Sequence, residues 1–531
     1  MIYFIPSWQS LSNGPTDFDD IVHQLRMFQE NGVEIELVLP IYLPNIRYQL
    51  NNQGLTNIKY WSVFDQLQAI KSVKALPTKL EDLDFPKDVE FIYTPTCIIV
   101  MLAQAVFAKI YYSEFGFVST VDYFKDNILI KKEIFDDRGF LSSSVIFGSD
   151  GVQVRIDYFD ENHNLTMQQY MMHDHISWHH EDVIETYQNI SDLIIENLKN
   201  HFVQTKGLHT MIISASLGNS YLTQLSNLTY RTIVSFFDNR FDLKNEPTLK
   251  VYLDDANAVV VDTPLLKQQI EQFCQLKGIK QLDNSIRVLP PFDARLKLGE
   301  SSSFKLQKIY WYIDSMLTGQ SHELAEILTD ELLNNKRRSL LIASTDPNKI
   351  NSIMNQIVEA IRLFYQVDEN SFIYQAVLKK ITDESENRLA KSEMGELEDT
   401  DEWENATDAI LAMQRVEAKT IYSEHSITLD LKNTRLVLYL NQKLNMFLQI
   451  SALSAGIPQI NLKQSVYVVN KKNGLVIENI AHIKEALHYY LDVLMNWNES
   501  LVYNVSQIEK YSGKKTVQKW IELVKGEYEK N

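Results

Sequence analysis

Histidines form the densest group of potential ligands in the chain. Four of them fall within residues 173 to 180, and acidic residues lie beside them: His173, His175, His179 and His180, with Asp174, Glu181 and Asp182. Neutral imidazoles held close together bind transition metals, so a metal site is one interpretation. The group contains no cysteine and matches no standard zinc spacing. It also lies where the chain should return from sheet to helix, so we expect a solvated junction, with no metal and no cofactor.

A second candidate lies between Lys443 and Asn461, where an apolar strand leads into a buried helix. Leu436 to Leu440 is an apolar run of strand length. Apolar residues then recur at helical spacing until a glycine and a proline end the helix: Met446, Ile450 and Leu453, followed by Gly456 and Pro458. The residues alone are compatible with an ordinary buried helix that ends in a glycine cap.

The ending A-L-S-A-G-I-P, residues 452 to 458, resembles the E-A-L-S-x-G-x-P segment of GT-B glycosyltransferases. In that family the helix and its glycine turn face the nucleotide-sugar donor. One glutamate directly before A-L-S holds the donor ribose, and another, eight residues earlier, lies beside the donor sugar. Here those positions are Ser451 and Lys443. Neither a neutral hydroxyl nor an ammonium can copy the two charged acceptor oxygens of a carboxylate. The resemblance therefore implies a degenerate donor site at Lys443, Ser451 and Gly456, with no catalytic residues.

The composition limits the possible functions. A chain of 531 residues, 45% of them apolar, is long enough for two or three folded domains. A net charge of −18 disfavours nucleic acid as a partner. Residues 1 to 6 lack the basic start of a signal peptide, and Cys97–Ile110 is too short and too polar for a membrane span. We expect a cytoplasmic protein, with association at the inner face of the membrane through partners left open.

The first forty residues alternate between strand and helix. Ile2 to Ile5 is a buried strand, Thr16 can cap a helix that ends near Gly32, and Ile35 to Leu39 is the next strand. This pattern predicts a parallel sheet with its ligand crevice at the carboxyl ends of the strands. No G-x-G-x-x-G follows Ile5, so we do not expect a classical dinucleotide site.

Three stretches of this region carry a closer resemblance: M-I-Y-F-I-P-S-W at 1 to 8, F-D-D-I-V-H-Q-L-R-M-F-Q at 18 to 29, and L-P-N-I-R-Y-Q-L at 43 to 50. They are similar to the start of the glycosyltransferase-like accessory secretory protein of the accessory Sec system, which exports glycosylated serine-rich repeat adhesins from Gram-positive bacteria. The resemblance covers most of the chain. It implies a GT-B-like α/β fold without known transferase activity. It also implies three kinds of partner: the other accessory secretory proteins, the accessory Sec motor ATPase and the adhesin.

Residues 97 to 172 have a different pattern. Two bulky residues followed by a polar turn recur about every two dozen residues, with alternating stretches between them. This predicts an antiparallel β-meander inserted in the first domain, whose excision should spare the α/β core more than it spares export. In related transferases such a sheet contacts the acceptor polypeptide, so the resemblance implies contact with polypeptide or glycan. The candidates are Tyr111, Tyr112, Phe135, Tyr158 and Phe159. Alternatively, these rings cover one face of the sheet.

The domain organisation follows from these segments. We predict a first Rossmann-like domain at 1–96 plus 173–298 and a second at 299–500, with Pro290-Pro291 near the boundary. Residues 501–531 should form a helical segment that packs back on the first domain, as the GT-B resemblance implies. The acidic segment Asp383–Glu404 is an exposed loop or helix, or a docking strip for a basic partner.

Three classes of function are compatible with these features. The favoured one is a non-catalytic adaptor of the accessory Sec system, which assists adhesin export and recognises glycan or polypeptide. The alternatives are an active GT-B glycosyltransferase and a stand-alone glycan-binding module. No Ser-His-Asp order, phosphate-binding loop or metal motif supports a different enzyme.

Overall fold

The computed structural model describes residues 1–8, 19–71, 76–172, 175–180, 183–204, 209–229, 231–237, 240–280, 282, 285–385 and 397–526. The chain divides into two compact units, Met1–Pro291 with Val517–Asn531, and Phe292–Thr516. The sequence analysis places these divisions at 298/299 and 500/501. In the structure the first division falls directly after Pro290-Pro291, and the second falls at 516/517.

The first unit holds a parallel sheet and an antiparallel sheet. Its strands are β1 Ile2–Ile5, β2 Ile35–Leu39, β3 Tyr60–Ser62, β4 Glu90–Tyr93, β5 Ile98–Leu102, β6 Ala105–Tyr112, β7 Val118–Lys125, β8 Ile128–Phe135, β9 Leu141–Phe147, β10 Gln153–Phe159, β11 Leu165–Tyr170, β12 His175–His180, β13 Val183–Tyr187, β14 Thr210–Ser214, β15 Arg231–Phe236, β16 Ala258–Val261 and β17 Ile286–Val288. Its helices are α1 Asp20–Glu30, α2 Ile46–Asn52, α3 Val63–Leu67, α4 Ile190–Gln204, α5 Glu246–Asp255 and α6 Pro264–Lys277, with 3₁₀ turns at Leu80–Asp82 and Leu217–Leu228.

The parallel sheet has the order β17-β16-β15-β14-β1-β2-β3. Strands β1 and β16 are apolar and buried along their whole length, as is typical of a parallel sheet that is covered on both faces. Helix α1 begins one residue after Asp19, whose carboxylate caps it, while Thr16, the predicted cap, lies outside the described residues. Thr263 caps α6, and Gly278 ends it with a positive φ of 71°, which glycine adopts readily.

The antiparallel sheet is a ten-stranded meander inserted between α3 and α4, with the strands in chain order from β4 to β13. The predicted inserted meander is confirmed. It extends beyond the predicted range of 97–172 at both ends, because β4 precedes that range and β12 and β13 follow it. These added strands are at or next to the sheet edges. Their side chains are largely polar or exposed, so no buried-face alternation reveals them.

The meander shares a buried core with the α/β part of the first unit. Five of its residues belong to the same buried cluster as Tyr3, Phe64 and Met211 of the α/β part: Ile134, Val145, Tyr158, Met167 and Ile176. The hydroxyl of Tyr42 also hydrogen-bonds to Ser142, at 2.8 Å. One face of the sheet thus completes that core, and the expectation that excision spares the core more than it spares export stays a prediction.

The second unit is built on one parallel sheet with the order β20-β19-β18-β21-β22-β23. Its strands are β18 Gln307–Tyr312, β19 Arg338–Ser344, β20 Val416–Thr420, β21 Thr434–Tyr439, β22 Gln459–Asn461 and β23 Gly474–Val476. The helices are α7 Thr318–Asn334, α8 Pro347–Tyr365, α9 Phe372–Ser385, α10 Asp401–Met413, α11 Glu424–Leu431, α12 Met446–Ser454, α13 Ile483–Leu491 and α14 Leu494–Lys510, with 3₁₀ turns at Ser301–Ser303 and Ile480–His482.

Helix α15, Gly513–Lys525, returns the chain to the first unit. Val517, Trp520 and Leu523 are buried in the cluster that contains Phe4 and Phe28, and Trp520 is fully buried. The described part of the acidic segment forms the end of α9 and the first turn of α10. In that turn Asp401, Glu402 and Glu404 are exposed and complement the helix dipole.

Candidate functional site

The strand order of the second sheet determines where a ligand crevice would lie. From β18 the chain moves outward to β19 and β20, then returns to the other side of β18 through β21, β22 and β23. The direction of winding reverses between β18 and β21, and open parallel sheets bind ligands at the carboxyl ends of the strands at such a point. Those two ends lead into residues 313–317 and 440–445, and the second of these loops contains Lys443.

Asp314 is the centre of a polar network at this edge. Its carboxylate accepts hydrogen bonds from the hydroxyls of Tyr312 and Ser344, each at 2.5 Å. It also accepts one from the backbone N–H of Thr345 at 2.7 Å. Burial, and secondly the Asp314 carboxylate, raise the pKa of Tyr312 far above its usual range, so this phenol keeps its proton and donates. Both oxygens of Asp314 are therefore engaged by groups of the chain itself.

The two predicted donor-site positions lie on either side of the first turn of α12. Lys443 is exposed in the loop before the helix, and its backbone N–H donates to the Ser315 hydroxyl at 3.2 Å. Asn445 caps the helix by accepting from the N–H of Leu448 at 2.9 Å. Ser451 is half-buried on the second turn. The structure thus presents an ammonium and a hydroxyl where the GT-B resemblance expects two carboxylates.

Gly456 ends α12 for two physical reasons. Its φ of 76° is in the left-handed region, which favours glycine. A Cβ atom at this position would also lie 2.3 Å from Cδ1 of Leu501 and 3.3 Å from Cδ2 of Leu298. Helix packing within the second unit therefore accounts for this glycine without any ligand.

The five aromatic candidates of the meander do not form one surface. Phe135 and Tyr158 are buried, each in a hydrophobic cluster, and so cannot contact a polypeptide or a glycan. Tyr111 and Phe159 are half-buried, and Tyr112 is exposed. The register of the sheet shifts at these rings, between residues 111 and 112, between 134 and 135, and between 158 and 159. A bulge reverses the alternation of faces, so the sequence pattern could not assign a face to these rings.

The described histidines of the candidate metal group lie on a strand. His175, His179 and His180 belong to β12, so the predicted junction between sheet and helix is wrong, and the chain continues as a paired strand. Alternation directs His180 to the opposite face from the other two. Its ring stacks on Trp178 with 3.8 Å between centroids. Among the described residues no group of three histidine, cysteine or acidic side chains is placed to hold a metal ion. His173, Asp174, Glu181 and Asp182 lie outside those residues.

The carboxyl edge of the first sheet carries an acid pair that the sequence analysis did not single out. Asp19 accepts a hydrogen bond from Nε1 of Trp8 at 2.8 Å. Asp20 forms an ion pair with Nη1 of Arg240 at 2.8 Å. Burial, with the charge of Asp20 adding to it, raises the pKa of Asp19 to about 6. This pair lies at the end of the first of two F-D-D triplets, at 18–20 and 135–137, a repetition that could have revealed both pairs.

The second triplet anchors the meander to the α/β part. Arg138, with a side chain only 5% exposed, donates to both oxygens of Asp136, at 2.6 and 2.8 Å. It also donates to both oxygens of Asp65 in α3, at 2.9 and 2.8 Å. Asp137 accepts from the backbone N–H of Tyr48 at 3.1 Å. Burial, and secondly the charge of Asp136, raise the pKa of Asp137 to about 7.

Comparison with known proteins identifies the family. Residues 1–527 match the sequence profile of accessory secretory protein 1 of the accessory Sec system. The chain belongs to this accessory Sec family. A Streptococcus gordonii member of the family is 30% identical over 550 residues, covering 99% of each chain. The resemblance stated from the first fifty residues is therefore confirmed over nearly the whole length.

Solved structures similar to this family member fall into two groups. The first contains complexes. A chain of the Streptococcus agalactiae glycosylation-associated protein (Gap123) complex is 27% identical, with a TM-score of 0.73 over 98% of this chain and 100% of that one. A chain of the Streptococcus pneumoniae structure of accessory secretory proteins 1, 2 and 3 is 24% identical, with the same TM-score over 99% of each chain.

The second group shows the fold. The pneumococcal O-GlcNAc transferase GtfA, solved with UDP and GlcNAc, is 12% identical with a TM-score of 0.67, over 99% of this chain and 98% of that one. The GT-B-like fold predicted from A-L-S-A-G-I-P is thereby confirmed. Of the helices in the described residues, none combines the length and the apolar character that crossing a bilayer requires.

Proposed function

We propose that this member of the accessory Sec system is a non-catalytic adaptor that assists the export of glycosylated serine-rich repeat adhesins. The observation that carries the proposal is that the carboxylate at the crevice of the second sheet is already hydrogen-bonded to groups of the chain itself. A donor site needs carboxylates that are free to accept from sugar hydroxyls. The Asp314 carboxylate is engaged by Tyr312, Ser344 and Thr345, and Lys443 in the loop after β21 places a cation at a predicted donor position.

An adaptor acts through surfaces, and an edge of the meander offers one. All four residues of β4 are exposed, among them Phe91, Ile92 and Tyr93. Within the described residues no strand pairs with the outer side of β4. Natural proteins normally protect such apolar edges with charge, proline or a covering element, so this edge favours a protein partner.

The partners we propose are accessory secretory proteins 2 and 3, the accessory Sec motor ATPase and the adhesin. The similarity to chains solved in complexes supports accessory secretory proteins 2 and 3 as partners. The motor ATPase and the adhesin follow from the export role. A stable interface of this kind buries on the order of 1,200 to 2,000 Å².

Co-expression with accessory secretory proteins 2 and 3, followed by size exclusion at low and at high salt, tests the adaptor. We expect one co-eluting complex under both conditions, because apolar contact dominates stable interfaces and charge mainly sets association rates. The variant Ile92→Glu should weaken the complex. Ile128→Glu, at another exposed isoleucine of the same sheet, is the matched control and should not. Separate elution of the wild-type chains at both salt concentrations would refute the adaptor and favour a stand-alone glycan-binding module.

A titration with a nucleotide sugar tests the non-catalytic part separately. We expect at best weak binding and no turnover, because the two predicted donor positions are Lys443 and Ser451 and neither carries a carboxylate. Low-micromolar binding accompanied by transfer or hydrolysis would favour an active GT-B glycosyltransferase instead.

A further inference from the structure

The second unit carries a pair of helices outside its main core. Helices α9 and α10 lie between α8 and β20 in the chain. The hydroxyl of Tyr374 contacts Sδ of Met413 at 3.6 Å, and Nζ of Lys380 lies 5.6 Å from the centre of the Trp403 ring. The two helices are therefore antiparallel, with the start of α10 beside the second half of α9. They pack on each other through a small buried cluster: Tyr374, Val377, Trp403, Ala406 and Ile410.

Large apolar side chains are exposed where the chain passes from α8 into α9. Leu363 is 69% exposed, Phe364 58% and Phe372 67%. Leu378 on α9 is also exposed. Single exposed apolar residues are ordinary, whereas a group of large ones within a short segment marks an interaction surface. We call these four residues the α8–α9 face: Leu363, Phe364, Phe372 and Leu378.

An open depression of about 500 Å³ adjoins the α8–α9 face. Leu363 forms part of its wall, and residues 366–370 form most of the rest. Arg362, also in the wall, forms ion pairs with Glu359 and Glu369. The side-chain amide of Gln375 donates to the backbone carbonyl of Glu369 at 2.7 Å, which ties the first turn of α9 to this loop. The depression can therefore receive a side chain of a partner, and its rim is anionic.

The charge around the α8–α9 face is strongly negative. Residues 359–383 and 397–404 contain nine acidic residues and three basic ones. One of the three cations, Lys380, already pairs with Glu398 at 2.9 Å. In the first turn of α10, no lysine or arginine of the described residues pairs with Asp401, Glu402 or Glu404, all of which are exposed. A surface of this kind attracts a basic partner and repels nucleic acid and anionic lipid.

The spacing of the apolar and acidic parts indicates the shape of the partner. Helix α9 rises about 12 Å from Phe372 to Lys380, and Lys380 lies beside Trp403 in the acidic turn of α10. A helix of about three turns spans this distance. Its apolar stripe can pack on the α8–α9 face while cations on its flank reach the carboxylates of α10, as in other complexes that dock an amphipathic helix.

We propose that the α8–α9 face docks a basic amphipathic helix of a partner protein, with Phe372 as the apolar anchor and the first turn of α10 as the anionic contact. The inference goes beyond the proposed function, which places a partner on the β4 edge of the first unit and assigns no role to the acidic segment of the second.

Fluorescence anisotropy of the full-length chain tests the proposal with a fluorescein-labelled peptide, two repeats of the heptad L-K-K-L-L-K-L. We expect saturable binding of this lysine peptide and no binding when every lysine is replaced by glutamate. A shuffled peptide of the same composition without an apolar stripe should bind at least about tenfold more weakly. Phe372→Ser should weaken the affinity for the lysine peptide at least about tenfold. Val502→Ser, at an exposed residue of α14 in the same unit, is the matched control and should change it less than about twofold.

A second pair of variants tests the charges. Glu402→Gln combined with Glu404→Gln should weaken the affinity for the lysine peptide about three- to tenfold and reduce its dependence on salt, because exposed ion pairs are screened by salt. Glu499→Gln combined with Glu509→Gln removes two exposed carboxylates of α14 and should leave both quantities unchanged. All these substitutions replace exposed side chains, so thermal melts should coincide with that of wild type.

Each contrary result has a distinct meaning. Absence of saturable binding of the lysine peptide, or equal binding of the glutamate peptide, would overturn the docking of a basic helix. Equal losses of affinity from the α14 variants and from Phe372→Ser would also overturn it, because binding would then follow the net charge of the chain. If the chain co-elutes with accessory secretory proteins 2 and 3 but does not bind the lysine peptide, the docking proposal fails and the adaptor remains.

Discussion

Replacing Arg138 by methionine should detach the meander from the α/β part of the first unit. The guanidinium engages Asp136 and Asp65 at both of their oxygens, and the side chain of Asp136 is only 1% exposed. Arg138→Met therefore leaves a buried carboxylate without its cation. Breaking a buried pair in this way costs about 3 to 5 kcal/mol of unfolding free energy. The melting temperature should fall by roughly 5 to 15 °C.

The loss of stability caused by Arg138→Met should depend on pH. Burial already raises the pKa of Asp136, although Arg138 opposes the rise, so in the variant the pKa is higher still. The unfolded chain ionises Asp136 at about its ordinary pKa of 3.9. The contribution of Asp136 to the stability of the variant is therefore greatest below that pH and is lost as the pH rises towards the folded pKa. Its deficit relative to wild type should be larger at pH 7.5 than at pH 5.

Urea denaturation at these two pH values, with hydrogen exchange to localise the opening, measures both effects. Lys250→Met, which removes one partner of an exposed ion pair on α5, is the control and should change stability by no more than about 0.5 kcal/mol. Adding Asp136→Asn to Arg138→Met should restore about half of the loss, because the buried charge is then gone. A loss below about 1 kcal/mol for Arg138→Met, equal at both pH values, would refute the anchoring role.

Three further predictions concern substitutions elsewhere in the chain. Burial raises the pKa of the Asp137 carboxyl to about 7, and Asp137→Asn removes this carboxyl. The free energy of unfolding of the variant should therefore exceed that of wild type by roughly 1 to 3 kcal/mol at pH 8 and lose this advantage at pH 4. Equal urea midpoints at pH 8 would contradict this prediction. Gly456→Ala should destabilise the second unit by about 1 to 3 kcal/mol through its clash with Leu501, and should cost more than Gly32→Ala, where a Cβ has open space; equal costs in thermal melts would show that the clash is relieved. The double variant Lys443→Glu with Ser451→Glu should not hydrolyse or transfer a nucleotide sugar, because catalysis needs a preorganised site as well as carboxylates; turnover above wild type in a product assay would disprove this.

Features set by local sequence were predictable in this chain. Thr263 and Asp346, each followed by proline, cap helices α6 and α8, as such pairs favour, and the apolar run Ala258–Val261 is a strand. These features depend on hydrogen bonds and apolar runs within a few residues. The A-L-S-A-G-I-P segment likewise forms the predicted helix and turn.

Features set by contacts distant in sequence were not predictable. The F-D-D-R segment acquires its role from Asp65, seventy-three residues before Arg138, and no local pattern encodes that pairing. The face of each aromatic ring depends on bulges, which the alternation of residues does not reveal. Lys131, Arg155 and Tyr170 lie on one line across the meander only because of the register of four strands, which no local pattern encodes.

The return of helix α15 to the first unit has a consequence for biosynthesis. Trp520 and its neighbours fill the same cluster as Phe4 and Phe28, although the whole second unit is translated between them. The ribosome therefore releases the first unit with an apolar surface still uncovered, and that surface closes only after residues 517 to 523 have emerged. Domains usually fold as units from the N-terminus during synthesis, but this unit cannot finish in that order. A nascent chain stalled before residue 517 should therefore remain a substrate for chaperones, however well its second unit has folded.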